Sequence, residues 1–304
     1  MFFILLYYSS SRIPSKTSRR RLDTHLSSIR IVYVVRTNFH FYQRRLIYLL
    51  QTWISLVVRD VFFITDRSLP QIPANQTIIT KHTCGSDAHA MGILCCKTAH
   101  DFLLFQRYSS DYHWFCHFDD DQYVHVQNLQ DYLSTFDSSK PYYIGRTSWS
   151  ETLKRSKEPF PYPFWFATLG AGVCLSKGTI DLLRPYTSNV SLFVDGCIRE
   201  NYHDDIYLGF LLSAYLNVNL TKTDRFHSHL EKDFYSDRKT FLQTFPKQIT
   251  FGFGSPNRFP YFLPLLYPAQ QDPYRIRTLH CFLYPTNEEC QRKLRQQLFN
   301  STKQ

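Results

Sequence analysis

Residues Ile31-Val32-Tyr33-Val34-Val35 form an apolar, largely β-branched run with no polar alternation. A strand with one face in water alternates, so a run like this belongs to a strand covered on both faces. After a short polar loop, Leu46, Leu49, Leu50 and Trp53 recur at helical spacing. They predict a helix from near Tyr42, with Arg45 in its first turns. Val57-Val58 and Val61-Phe62-Phe63-Ile64 predict a second strand region ending in Thr65-Asp66. Strand, helix, strand is the opening of a right-handed βαβ unit and an α/β fold. No G-x-G-x-x-G separates the first strand from its helix, which disfavours an NAD-type dinucleotide fold.

Further along, 92–107 reads as a helix, Trp114 to Phe118 as a buried strand, Leu129 to Phe136 as a helix and Tyr142 to Gly145 as a strand. Residues 147 to 163, polar and charged with Pro159, Pro161 and Pro163, read as a surface loop. In the stretch from Phe164 to Ser176, small residues stand between aromatics. That pattern suits close backbone approach to a ligand, and equally a tight bend in the core. His203-Asp204-Asp205 opens the apolar run from Ile206 to Val218, so one aspartate is expected to cap a helix and leave the other free. Phe226-His227-Ser228-His229-Leu230-Glu231 and a strand-like Gln248 to Phe251 follow, with a Cys281–Cys290 loop near the end.

Three consecutive aspartates, Asp119, Asp120 and Asp121, close the Trp114–Phe118 run. In α/β sheets ligands sit at the carboxyl ends of strands. Mg²⁺ and Mn²⁺ prefer carboxylate oxygens and commonly share such a site with nucleotide phosphates. On the triplet alone, an acidic turn explains the residues as well. Transfer from a nucleotide sugar needs a cation to neutralise the departing diphosphate, a positive side chain for the nucleotide and a base for the acceptor hydroxyl. Asp121, Arg45 and Asp205 can supply one of each.

The 304 residues suffice for one large domain or two small ones, and a 43% hydrophobic, 17% aromatic composition supports a sizeable core. A net charge of +10 would suit nucleic acid. However, the basic residues are dispersed apart from Arg12, Lys16, Arg19, Arg20 and Arg21, and no zinc-finger or RNA-binding signature accompanies them. An anionic-nucleotide cleft and a basic stalk near a membrane account for the charge, and no nucleic-acid partner is expected. Eight cysteines without a C-x-x-C knuckle, and sequons at Asn75, Asn189, Asn219 and Asn300, favour the oxidising secretory pathway. Met1 to Tyr8 is apolar but far short of the roughly 20 residues that span a bilayer. It is either an incomplete targeting segment or the remnant of a signal anchor, followed by a basic, polar stalk over 9–28.

From about Ile29 to Cys290 the chain resembles the Fringe glycosyltransferases, which add β1,3-linked N-acetylglucosamine to O-linked fucose on epidermal-growth-factor-like (EGF-like) repeats of Notch. The matching stretches include Arg45-Leu46, Thr52 to Ser55, Trp114 to Asp121 with Tyr123-Val124, and Phe164 to Ser176. They continue through Asp204-Asp205, Phe226 to Glu231 and Leu279 to Pro285. The resemblance implies a GT-A-type fold with a Rossmann-like mixed central sheet flanked by helices. It implies a short N-terminus and stalk over 1–28, a catalytic domain over 29–299 and a tail over 300–304. Asp121 and His229 match the Mn²⁺ ligands, with His227 the local competitor. Asp120 and Arg45 match contacts to the UDP-GlcNAc donor, and Asp205 matches the catalytic base, leaving Asp204 as the helix cap. The implied reaction is a single in-line, inverting displacement in the Golgi lumen. The chain would be a type II membrane protein, or secreted if the anchor is cleaved. Its implied partners are the O-fucosylated EGF-like repeats.

The resemblance also implies disulfides Cys116–Cys174 and Cys281–Cys290, with Cys84 pairing to Cys95 or Cys96 and Cys96 fitting the pattern better. Cys197 and the remaining cysteine then either pair or stay free. Leu169 stands where the family usually has glycine, His203 where proline usually precedes the aspartates, and Gln122 where asparagine is common. Of these, Leu169 is the one expected to alter the fit of the sugar. The competing readings are a related β1,3-galactosyl- or glucosyltransferase and a catalytically silent secreted binding protein of the same fold. Intact Asp121, Asp205 and His229 argue against the silent protein.

Overall fold

The computed structural model describes residues 29–85, 90–147, 149–155, 162–231, 238–254 and 263–301. The apolar N-terminus and stalk lie outside these residues, as do Pro159 and Pro161. Strand β1 (Ile31–Arg36) is central to a mixed sheet whose order is β10-β6-β9-β4-β1-β2-β3. The partners are β2 (Val61–Thr65), β3 (Thr77–Ile79), β4 (Trp114–Asp119), β6 (Tyr143–Gly145), β9 (Val173–Ser176) and β10 (Leu220–Lys222). β1 pairs parallel with β2 and β4, while β9 runs antiparallel between β4 and β6. The unbroken apolar run of β1 now has its reason. Val32 and Val34 enter one core and Tyr33 and Val35 the other, all at most 1% exposed. Covering both faces of such a strand removes its whole apolar surface from water, at about 25 cal/mol per Å².

Helix α1 (Met91–Arg107) packs on the second core together with α3 (Lys177–Thr187), α4 (Val190–Glu200) and α5 (Asp204–Phe210). Helix α2 (Val126–Leu133) buries Val126, Leu129 and Leu133 against the first. It starts three residues earlier than its apolar spacing suggested, because His125 Nδ1 accepts the Asn128 amide and caps it. Val57-Val58 is not strand: Val58 is 58% exposed and the segment closes a 3₁₀ turn. Within the expected 147–163 loop, a hairpin pairs β7 (Leu153–Arg155) with β8 (Tyr162–Phe164). Of the strand expected over 248–251, only its second half belongs to β11 (Thr250–Gly252), which pairs antiparallel with β5 (Gln122–Val124).

All eight cysteines are bonded. Cys84–Cys96, Cys116–Cys174 and Cys281–Cys290 follow the pattern implied by the resemblance, and the two left over join as Cys95–Cys197. Cys116 and Cys174 face each other across the β4–β9 ladder, which fixes the aspartate strand to the loop before β9. The sequon side chains Asn75, Asn189 and Asn219 are exposed. Among the described residues no helix is long and apolar enough to cross a membrane.

Candidate active site

β2 and β3 lie on one side of β1 and β4 on the other. Strand order therefore reverses between β1 and β4, the position where open α/β sheets bind ligands beyond their carboxyl ends. Arg36 and Asp119, the last residues of these strands, are register partners there. The chain then turns through Asp120 and Asp121 into β5, so the triplet sits at the carboxyl end of β4, beside that of β1, as its place after an apolar run suggested.

The three aspartates do different jobs. Asp119 Oδ1 accepts from Arg36 Nε at 3.0 Å, and His117 Nε2 lies 3.4 Å away. Burial disfavours its charge, but Arg36 and then His117 overcome this and hold the carboxyl below the usual range. Asp120, 4% exposed, accepts from Thr37 Oγ1 at 2.7 Å and from Arg45 Nη1 at 3.2 Å. Burial still pushes it up to about 6. Asp121 accepts from the same Arg45 Nη1 at 3.1 Å, and burial and the neighbouring Asp119 and Asp120 carboxylates raise it well above its ordinary value. Arg45, on a π-helical turn (Tyr42–Leu46), also lies over the Phe41 ring at 4.2 Å.

His229 reaches the triplet from across the small sheet. Phe253 donates its amide to Asp121 O, and Gly252 to His227 O, so β11 holds the 226–231 loop beside the aspartates. His229 Nδ1 comes to 3.4 Å from Asp121 Oδ2. Burial lowers its pKa, which keeps the imidazole neutral with a lone pair to offer. His227 is engaged differently: its Nδ1 is 2.9 Å from Glu231 Oε2. Glu231 also accepts the Ser228 amide at 2.9 Å and pairs with Arg146 Nη2 at 3.2 Å, so it ties the loop down.

Asp205 joins this group through a second link. Asp204 Oδ2 accepts from Arg36 Nη1 at 2.8 Å and from Thr98 Oγ1 at 2.7 Å. Asp204 is therefore an ion-pair partner, not the helix cap expected of it. The cap position is His203, which makes no side-chain cap bond. Asp205 follows, half-buried, with Oδ1 accepting its neighbour's amide, Ile206 N, at 2.8 Å. Burial, and then the Asp204 charge, push it up to about 7.

Residues 26–287 match the family model described as Fringe-like. The chain belongs to the Fringe-like family. The β-1,3-N-acetylglucosaminyltransferase radical fringe of Notophthalmus viridescens is 34% identical over 263 residues, covering 84% of this chain and 65% of that one. The lunatic fringe of Gallus gallus is 32% identical over 267 residues, covering 86% and 71%. That of Homo sapiens is 31% identical over 291 residues, covering 92% and 73%. These Fringe relatives are glycosyltransferases by name, and this chain is a member of that enzyme family, built on a mixed α/β sheet flanked by helices. It spans about two thirds of the Notophthalmus protein's length.

Asp121 and His229 are the residues of this site that would suit a divalent metal. Asp121 Oδ1 is buried and takes no hydrogen bond among the described residues, a costly state for a carboxylate oxygen that a cation would relieve. A neutral imidazole beside it completes an oxygen–nitrogen donor pair suited to Mn²⁺. Among the described residues, a separate group of possible ligands, Cys84, Cys96 and His100, has its two sulfurs locked in a disulfide. Leu169 is buried in the second core with Val173 and Leu208, so its side chain is core packing. Gln122 accepts the Asp119 amide at 2.9 Å and donates to Gly170 O at 3.0 Å, stapling the triplet turn to the loop before β9.

Three residues at this site escaped the sequence reading. Arg36 carried a signal, a lone charge at the carboxyl end of an apolar strand. Glu231 carried one too, as the last residue of the Phe226–Glu231 stretch. Lys97 had none. It is 4% exposed on α1, and its pKa is lowered by burial and then by Arg36, while Asp66, Asp119 and Asp120 pull the other way.

Proposed function

We propose that this chain is an inverting, manganese-dependent β1,3-N-acetylglucosaminyltransferase that moves N-acetylglucosamine from UDP-GlcNAc to O-linked fucose on EGF-like repeats of the Notch type. The observation that carries the reading is the pairing of Asp121 with His229 beside Arg45, with Asp205 held at the adjoining helix start. Asp121 and His229 are the residues that would hold Mn²⁺. When bound, the ion supplies a positive charge that stabilises the departing diphosphate.

The protein's own groups supply the rest. Arg45, now shared between two carboxylates, adds positive charge at the donor side, with Asp120 fixed between it and Thr37. Asp205 takes the proton from the acceptor hydroxyl as that oxygen attacks the anomeric carbon. Its folded value of about 7 makes it a far better proton acceptor than an ordinary aspartate and still ionised in useful amount near neutrality. One base suffices, because the displacement forms no sugar–enzyme intermediate. Four disulfides and exposed sequons support a place in the secretory pathway, and a Golgi-lumenal enzyme is the proposed setting.

The test is incubation of the purified protein with UDP-GlcNAc, Mn²⁺ and an O-fucosylated EGF-like repeat, read by mass spectrometry. One added N-acetylhexosamine on the fucose is expected. Addition of a hexose from UDP-galactose or UDP-glucose in its place would reassign the donor, and no transfer from any of the three would remove the proposal.

A further inference from the structure

We propose that Arg36 is the positioning residue of the transfer site, gripping Asp119 and Asp204 together so that the helix start carrying Asp205 is held against the end of β4, from which the chain turns to Asp121. The inference rests on the reading of Asp205 as the base.

Arg36 is itself firmly placed. It is the last residue of β1, in register with Ile64 on β2 and Asp119 on β4. Its guanidinium reaches two elements at once, with Nε to Asp119 Oδ1 at 3.0 Å and Nη1 to Asp204 Oδ2 at 2.8 Å. Nη1 also donates to Thr98 Oγ1 at 3.2 Å, and that hydroxyl donates on to Asp204 Oδ2 at 2.7 Å. Strand β1, strand β4, helix α1 and helix α5 thus meet at one side chain that is 13% exposed. The chain around Asp205 has few other polar anchors. The Asp205 carboxylate accepts from the Ile206 amide beside it, and the cap residue, His203, makes no side-chain cap bond. Because Asp204 and Asp205 are consecutive, a shift of the Asp204 carboxylate carries the base with it. Misplacing a reacting group by about 1 Å can cost about a hundredfold in rate. Arginine suits the task because its planar fork serves two carboxylates in fixed directions, which an ammonium cannot reproduce.

A purely structural Arg36 would lower the amount of folded protein and leave the rate of the folded fraction alone. A positioning Arg36 lowers kcat with little effect on donor KM. The experiment is steady-state transfer with UDP-GlcNAc varied at saturating Mn²⁺ and O-fucosylated repeat, with folded protein counted by active-fraction UDP binding. Arg36→Gln should lower kcat about a hundredfold and leave KM for UDP-GlcNAc within about twofold. Arg36→Lys should recover part of the loss, and Thr98→Val should lower kcat by a smaller factor in the same pattern. If Arg36→Gln does not fold, Thr98→Val decides: a fall in kcat at constant KM supports the proposal, and an unchanged kcat overturns it. Folded Arg36→Gln with wild-type kcat, or a loss that appears wholly in donor KM, also overturns it. A wild type that transfers no sugar removes the reading of the site as well, whereas an active wild type with unaffected variants removes this proposal alone.

Discussion

His229 Nδ1 stands 3.4 Å from Asp121 Oδ2 although the two residues come from distant parts of the chain. The β5–β11 pairing brings them together, with Phe253 donating its amide to Asp121 O. That backbone link sets the geometry of the side chains, so the proposed metal pair depends on a two-stranded sheet outside the main one.

Gly252 is where this dependence can be tested. A Cβ at Gly252 would collide with the backbone of Ser228 and His229. Gly252→Ala should therefore displace His229 and weaken the Mn²⁺ dependence of transfer by about tenfold or more, the usual effect of disturbing a ligand's support. Gly92→Ala, where an added Cβ meets nothing within 4 Å, should behave as wild type. Transfer rate measured against Mn²⁺ concentration checks both.

Asp205→Asn should abolish the base while keeping its shape. Loss of general base catalysis typically costs about 10²–10⁴-fold. We expect transfer to fall in that range with UDP binding retained, as read by kinetics and calorimetry on the same preparation. Lost UDP affinity with transfer preserved would place Asp205 on the donor side.

The pH dependence follows from the same residue. As the proposed base Asp205 has to be ionised, so kcat/KM should fall on the acid side of about 7, approaching about tenfold per pH unit. Its effect on stability has the opposite sense. The folded pKa is raised above the unfolded value of about 3.9, so the folded state binds this proton more tightly. Stability is full below about 4, declines as pH rises through the window to about 7, and stays reduced above it. Asp205→Asn should consequently melt higher than wild type at pH 8, with the difference shrinking at pH 5. An equal or lower melting temperature at pH 8 would contradict the raised Asp205 pKa.

Much of this arrangement is legible before any coordinates. The β1 run has no alternation because both its faces are covered, and the aspartates follow β4 because ligand sites lie where strands end. The parts that could not be read depend on partners remote in the chain. Asp204 looked like a cap, but its carboxylate answers to Arg36 and Thr98, neither of which is near it in sequence. Removing one partner of a buried ion pair commonly costs about 3–5 kcal/mol, which outweighs the roughly 1 kcal/mol of a helix cap. His227 and His229 are equivalent as letters, and their partners separate them, Glu231 for His227 and Asp121 for His229. The β7–β8 hairpin was hidden by polar, proline-rich composition, and Cys95–Cys197 by adjacency to Cys96.

The most direct measurement is Mn²⁺ binding in the presence of UDP, followed by electron paramagnetic resonance, for wild type, Asp121→Ala, His229→Ala, His227→Ala and Asp205→Asn. Wild type and Asp205→Asn should bind the ion, with Asp121→Ala and His229→Ala losing it and His227→Ala at most weakened through its contact with Glu231. Undiminished binding by Asp121→Ala and His229→Ala would contradict the assignment of the metal pair.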